Sequence, residues 1–223
     1  MNYDIAIRPA TEGYPLDALI AAYAAKTLSA PLTALVAAHL ELTPENRAYA
    51  AALEAVHGVF LEELRPVPLA GRDRRLVNIF ASPDPPPAAP EQCAHEGASV
   101  LPCALRRLAG CDLADLGWSK RSSGVKEATL QNGAARFISV GPGKRLPVTS
   151  DDGSTAVLLL AGAATDRNGD YERGDIILVG HDAGTADGPV AKGNTDCVCF
   201  VVTESSAKEP GSFRRILHRV IGG

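Results

Sequence analysis

The spacing of apolar residues changes once along this chain, and a proline-rich stretch marks the place. Up to Phe80 the apolar residues recur at intervals of three and four, which is the period of a helix. After Trp118 they gather in short runs parted by Gly, Asn and Asp, which is the habit of strands. Between the two lies Asp84–Pro90, with Pro85, Pro86, Pro87 and Pro90. Proline has no N–H to give to a helix or a ladder, so this segment reads as a stiff linker. Helices followed by strands predict an α+β chain. The expected division is a helical domain over 1–82, a linker over 83–100 and a β-barrel over 101–223.

In the helical part, Asp17–Lys26 is rich in alanine, with Asp17 as its candidate cap. A second helix is expected from Pro31 to Leu40, with Leu32, Leu35, Val36 and His39 on one stripe. Thr43-Pro44-Glu45 is a helix start signal: a capping hydroxyl, a proline at the first position and an acid for the dipole. That third helix runs to about Leu64, and Arg74–Phe80 forms a short amphipathic fourth. Three short helices bury little, so the region lacks core of its own and calls for something to pack against.

Expected strands are Ala134–Val140, Thr155–Ala164, Asp175–Val179 and Cys197–Thr203, with a type I′ turn at Asn168-Gly169. Such strands suit a sandwich or small barrel. The tail, Ser212–Gly223, reads as a closing helix or strand with a basic face.

Residues 1–66 hold four basic against eight acidic residues, and the rest of the chain balances. An acidic region does not suit nucleic acid, which is held by Lys and Arg. It suits a basic protein surface, or simply solvent. No apolar run approaches 18 residues and the first residues lack a signal-peptide pattern, so a cytoplasmic protein away from membranes is expected. Five irregularly spaced cysteines make no disulfide framework, and Cys197 and Cys199 read as buried apolar residues on one strand face.

Candidate chemistry is sparse. No Ser/His/Asp or Cys/His arrangement is visible, and Gly141-Pro142-Gly143 lacks the context of a phosphate loop. His57 reads as a helix-surface or interface residue, His95 and His218 fall in no pattern, and Glu62-Glu63 read as a solvated helix end. One spacing does stand out. Five residues separate Gly143 from Thr149, one separates Thr149 from Asp151, three separate Asp151 from Thr155, and six separate Thr155 from Gly162. This resembles the first cupin motif, with Thr149, Asp151 and Thr155 in place of His, His and Glu. Gly169–Asp175 resembles the turn before the second motif, whose histidine falls at Thr185 or Asp187, with His181 nearest. Catalytic metals want imidazole or carboxylate ligands. The resemblance therefore implies a cupin-like double-stranded β-helix with no assigned catalytic or cofactor-binding residue. It leaves room for a hard cation on Asp151, Asp152 and Asp187.

The run from Asp17 to Leu64 resembles the zinc-binding domain of the ChrR family of anti-sigma factors, which join it to a cupin-like domain. Trp118–Leu130 also looks like that family. The family's zinc is held by a histidine before the first helix and an H-x3-C-x2-C group. Here His39 matches the second histidine, Thr43 and Asn46 stand at the cysteine positions, and Tyr14 stands at the upstream histidine. One ligand of four survives, so no metal is expected there, with zinc or another divalent cation left open.

The resemblance implies sequestration of an extracytoplasmic-function sigma factor and regulation of transcription in a stress response. The expected contacts are Leu32, Leu35, Val36, Val56, Phe60, Leu64, Leu76, Ile79 and Phe80. A small ligand in the barrel and a homodimer are further partners that the fold analogy admits. The competing readings are a cupin enzyme with an altered metal site, of dioxygenase or isomerase type, and a ligand-binding sensor.

Overall fold

The structure is a computed structural model that describes residues 16–83, 101–130, 133–148, 153–179 and 188–205. Tyr14, the linker Asp84–Pro90, Cys93, His95, Thr149, Asp151, Asp152, His181, Thr185, Asp187, the Ser212–Gly223 tail and His218 lie outside the described residues.

Among the described residues four helices come first: α1 (Leu16–Ala24), α2 (Ala30–Leu42), α3 (Pro44–Glu62) and α4 (Arg72–Ala81). Asp17 lies inside the first turn of α1, where its charge complements the dipole. Thr43 precedes α3 but does not cap it through its side chain. Its hydroxyl turns back and donates to the carbonyl oxygen of His39 at 2.6 Å, closing the end of α2 instead. A fifth helix, α5 (Cys103–Ala109), packs on α2. The carboxylate of Glu41 accepts the first two N–H groups of α5, at 2.7 and 2.9 Å.

The strands are β1 (Ser119–Ser122), β2 (Val125–Thr129), β3 (Ala135–Val140), β4 (Gly153–Ala161), β5 (Ala163–Asp166), β6 (Gly169–Tyr171), β7 (Ile176–Val179), β8 (Val190–Lys192) and β9 (Cys197–Ser205). Among the described residues all strand pairings are antiparallel. They form a six-stranded sheet in the order β1-β2-β3-β9-β4-β7 and a three-stranded sheet in the order β6-β5-β8. This is the α+β, cupin-like organisation expected.

The predicted run Thr155–Ala164 is two strands, because the chain turns at Gly162. Its φ is +75°, and a Cβ there would meet the Asp196 carbonyl oxygen at 2.8 Å and Cys197 Cα at 2.9 Å. The hairpin turn also differs from expectation. Its central residues are Arg167 and Asn168, between the paired Asp166 and Gly169. Lys26 is the only non-glycine residue with positive φ among those described, so a type I′ turn is excluded. The Asp166 carboxylate closes the turn by accepting from the N–H groups of Asn168 and Gly169.

Alternation along the strands sorts two cores. Val157 and Leu159 of β4, Cys197, Cys199 and Val201 of β9, and Ile138 and Val140 of β3 fill the barrel interior. The opposite faces, with Ala156, Leu158, Leu160, Phe200, Val202, Ala135 and Phe137, meet the helices in a single continuous cluster. Phe137 and Phe200 tilt against each other there, ring centroids 4.9 Å apart. The core that the helical region lacked is thus the outer face of the barrel.

The cysteine reading needs one correction. Cys197 and Cys199 are buried free thiols as expected, with sulfurs 3.6 Å apart. Cys103, however, is disulfide-bonded.

Candidate functional site

Three places bear on function: the junction of α2 with α3, the barrel interior, and the outward face of α3 and α4.

At the junction, the period of α2 turns His39 inward, and it is 2% exposed. Its Nδ1 lies 2.6 Å from the carbonyl oxygen of Gly174, in the turn between β6 and β7. A carbonyl only accepts, so Nδ1 carries the proton and donates. Nε2 is then an acceptor, and the side-chain amide of Asn46 donates to it at 2.8 Å. Burial holds the imidazole below its ordinary pKa, which keeps it in this neutral tautomer. The Thr43 hydroxyl oxygen stands 3.2 Å from the same nitrogen. His39, Thr43 and Asn46 therefore converge.

In the barrel interior, Thr155 is buried and its hydroxyl donates to that of Thr203 across β4 and β9 at 3.3 Å. Of the cupin-type ligand positions, Thr155 alone lies among the described residues. On β2, Glu127 shares the inward face of Val125. Its carboxylate accepts from Arg121 Nε at 2.7 Å and Thr129 Oγ1 at 3.2 Å, and Arg136 Nε stands 3.9 Å away. The hydrogen bond from Arg121 holds the Glu127 carboxyl below the usual glutamate pKa. The sequence signal for this buried acid is its place two residues after Val125, on the same strand face.

The third place is apolar and open. Among the described residues, every exposed large hydrophobic side chain lies between Tyr49 and Phe80. Val56, Val59, Phe60 and Leu61 line the distal part of α3, Leu64 follows just beyond its end, and Val77, Ile79 and Phe80 lie on α4. No residue of α4 is buried, and Leu76 is half-buried. Leu32, Leu35 and Val36 are different. They were expected at a partner interface, but they are 4% exposed or less and pack under the barrel sheet. Their stripe is covered by this chain.

The sequence is 34% identical to the anti-sigma-E factor ChrR of Cereibacter sphaeroides over 192 residues, spanning 85% of this chain and 88% of the relative. The chain belongs to the ChrR family of anti-sigma factors. The fold agrees: the crystal structure of Rhodobacter sphaeroides SigE in complex with the anti-sigma ChrR superimposes with a TM-score of 0.71. That match has 32% identity and covers 87% of this chain and all of the other. No family model matches the sequence.

Membership of the ChrR family raises the question of zinc at the α2–α3 junction. Zinc takes thiolate, imidazole or carboxylate. His39 qualifies, and its Nδ1–H bond to a carbonyl is the support that metal-binding histidines use. The hydroxyl of Thr43 and the amide of Asn46 do not qualify, and Asn46 already occupies Nε2. Among the described residues no group of three or more His, Cys, Asp and Glu is placed to hold a metal. The residues present do not fit zinc. Nor is any helix among the described residues long and apolar enough to cross a membrane.

Proposed function

We propose that this ChrR-family chain sequesters an extracytoplasmic-function sigma factor on the open apolar face formed by distal α3 and α4. The concentration of all exposed large hydrophobics between Tyr49 and Phe80, among the described residues, carries this reading. Large apolar side chains left exposed in one stretch of a chain mark an interaction site. Exposed amphipathic helices suit a partner that packs its own apolar surface against them. The contacts assigned are Val56, Phe60, Leu64, Leu76, Ile79 and Phe80. Leu32, Leu35 and Val36 are withdrawn from that set because they hold the helices to the barrel.

The barrel is assigned a sensing role and no catalytic step. Thr155 is a hydroxyl where a cupin metal site needs a carboxylate, and it bonds to Thr203. We place the protein in the cytoplasm, where such a sigma factor meets RNA polymerase.

The test is co-expression with each extracytoplasmic-function sigma factor of the source organism, followed by size-exclusion chromatography. One of them is expected to elute as a stable complex with the native chain. Phe60→Asp combined with Ile79→Asp is expected to abolish that complex while the barrel keeps its circular dichroism. A complex unaffected by both substitutions would overturn the assignment.

A further inference from the structure

We propose that His39 is a positioning residue for α3, acting as a metal-free clasp that ties the start of that helix to the barrel turn at Gly174. The proposal extends the reading above, since α3 carries the open face, but its geometry stands independently of any partner.

The clasp spans two bodies through one imidazole. Gly174 donates its N–H to the carbonyl oxygen of Leu159 on β4 at 2.8 Å. Its own carbonyl accepts from His39 Nδ1, and His39 Nε2 accepts from Asn46 in the first turn of α3. An unbroken line of hydrogen bonds thus runs from a strand that lines the barrel interior to the helix that carries the open face. Each polar atom of the imidazole is satisfied, which a buried histidine requires.

A second observation is steric. Gly174 has a φ of +99°, and a Cβ built on it would lie 3.2 Å from both Leu42 Cβ and Thr43 Cγ2. The turn therefore sits directly against the α2–α3 junction. Arg173 Nε donates to the Leu160 carbonyl and Glu172 N–H to the Asp175 carboxylate, so the turn is itself held rigidly. A rigid acceptor on the barrel and a donor on α3 leave the imidazole one orientation. Thr43 and Asn46 both approach His39 Nε2 as groups around a cation would, but the amide of Asn46 bonds to that nitrogen directly.

The experiment uses the full chain. Side-chain 15N NMR of His39 is expected to show Nδ1 protonated and Nε2 bare; an Nε2–H tautomer or a metal-bound nitrogen would overturn the proposal. Amide exchange separates positioning from general loosening. His39→Ala is expected to speed exchange tenfold or more both in the first turns of α3 and at Gly174 and Asp175, with β3 and β9 unchanged. Asn46→Ala is expected to loosen only the α3 end. His39→Asn keeps a donor near Gly174 and is expected to restore the turn but not the helix. Loosening confined to α2 in the His39→Ala chain would overturn the clasp. Because none of these readouts uses a sigma factor, the clasp can fail while sequestration stands, and the reverse.

Discussion

The carboxylate of Glu41, in the last turn of α2, reaches across 62 residues of sequence to accept the N–H of Cys103, the first residue of α5. It also accepts from Ala104, so one side chain satisfies two of the free donors at that helix start. With the bond from Ser29 Oγ to Glu204 at 2.7 Å, it fastens α2 to the part of the chain that begins with α5.

Glu41→Ala should therefore behave as loss of a helix cap, costing about 1 kcal/mol in urea unfolding. Amide exchange at Cys103 and Ala104 should rise while α1 is unaffected. An unchanged unfolding midpoint and unchanged exchange would show that α5 is held by packing alone.

Leu35 and Phe60 are both apolar and both on helices, yet their removal should differ. Leu35 is fully buried, so Leu35→Ala should cost about 2–5 kcal/mol. Phe60 is 61% exposed, and Phe60→Ala should stay within about 0.5 kcal/mol. Chemical denaturation of the two variants checks the contrast, and equal effects would refute the assignment of covered and open faces.

Glu127 links stability to pH. Its hydrogen bond with Arg121 lowers its folded pKa, so the folded state binds its proton less readily than the unfolded chain. The resulting stabilisation is present above the ordinary glutamate value of 4.5 and is lost as pH falls through the depressed folded value. Arg121 is largely solvated, so the effect is screened. The stability gap between the native chain and Glu127→Gln should be full at neutral pH and should close in acid. A gap independent of pH would show that the pair contributes shape and not charge.

Two glycines make a paired test. Gly162→Ala forces a Cβ into the backbone at Asp196 and Cys197 at positive φ, and should cost about 2 kcal/mol or more. Gly58 lies inside α3, and a Cβ there would meet nothing within 4 Å, so Gly58→Ala should stabilise by about 0.5–1 kcal/mol. Thermal unfolding of both should show shifts of opposite sign.

Helices α1 to α4 were legible because a 3.6-residue period is written directly in side-chain type, and their bounds moved by only a few residues. The role of each apolar stripe was not. Leu32, Leu35 and Val36 carry the same chemistry as Val56, Phe60 and Leu64, and the hydrophobic effect has no direction. Which stripe the barrel covers is a matter of placement. Thr43 departs from expectation for a related reason: its hydroxyl can accept from the free N–H groups at the start of α3 or donate to the carbonyl of His39, and it does the second.

By itself, then, the sequence determined that helices precede strands, and that His39, Thr43 and Asn46 share one spacing with only one metal-ligand type among them. Those are properties of side-chain identity and of local period. The tertiary structure alone decided that the helices share a core with the barrel, that α3 and α4 stay open, and that His39 grips the carbonyl of Gly174. Every residue has a backbone carbonyl, so no letter of the sequence marks the one that a buried histidine will find.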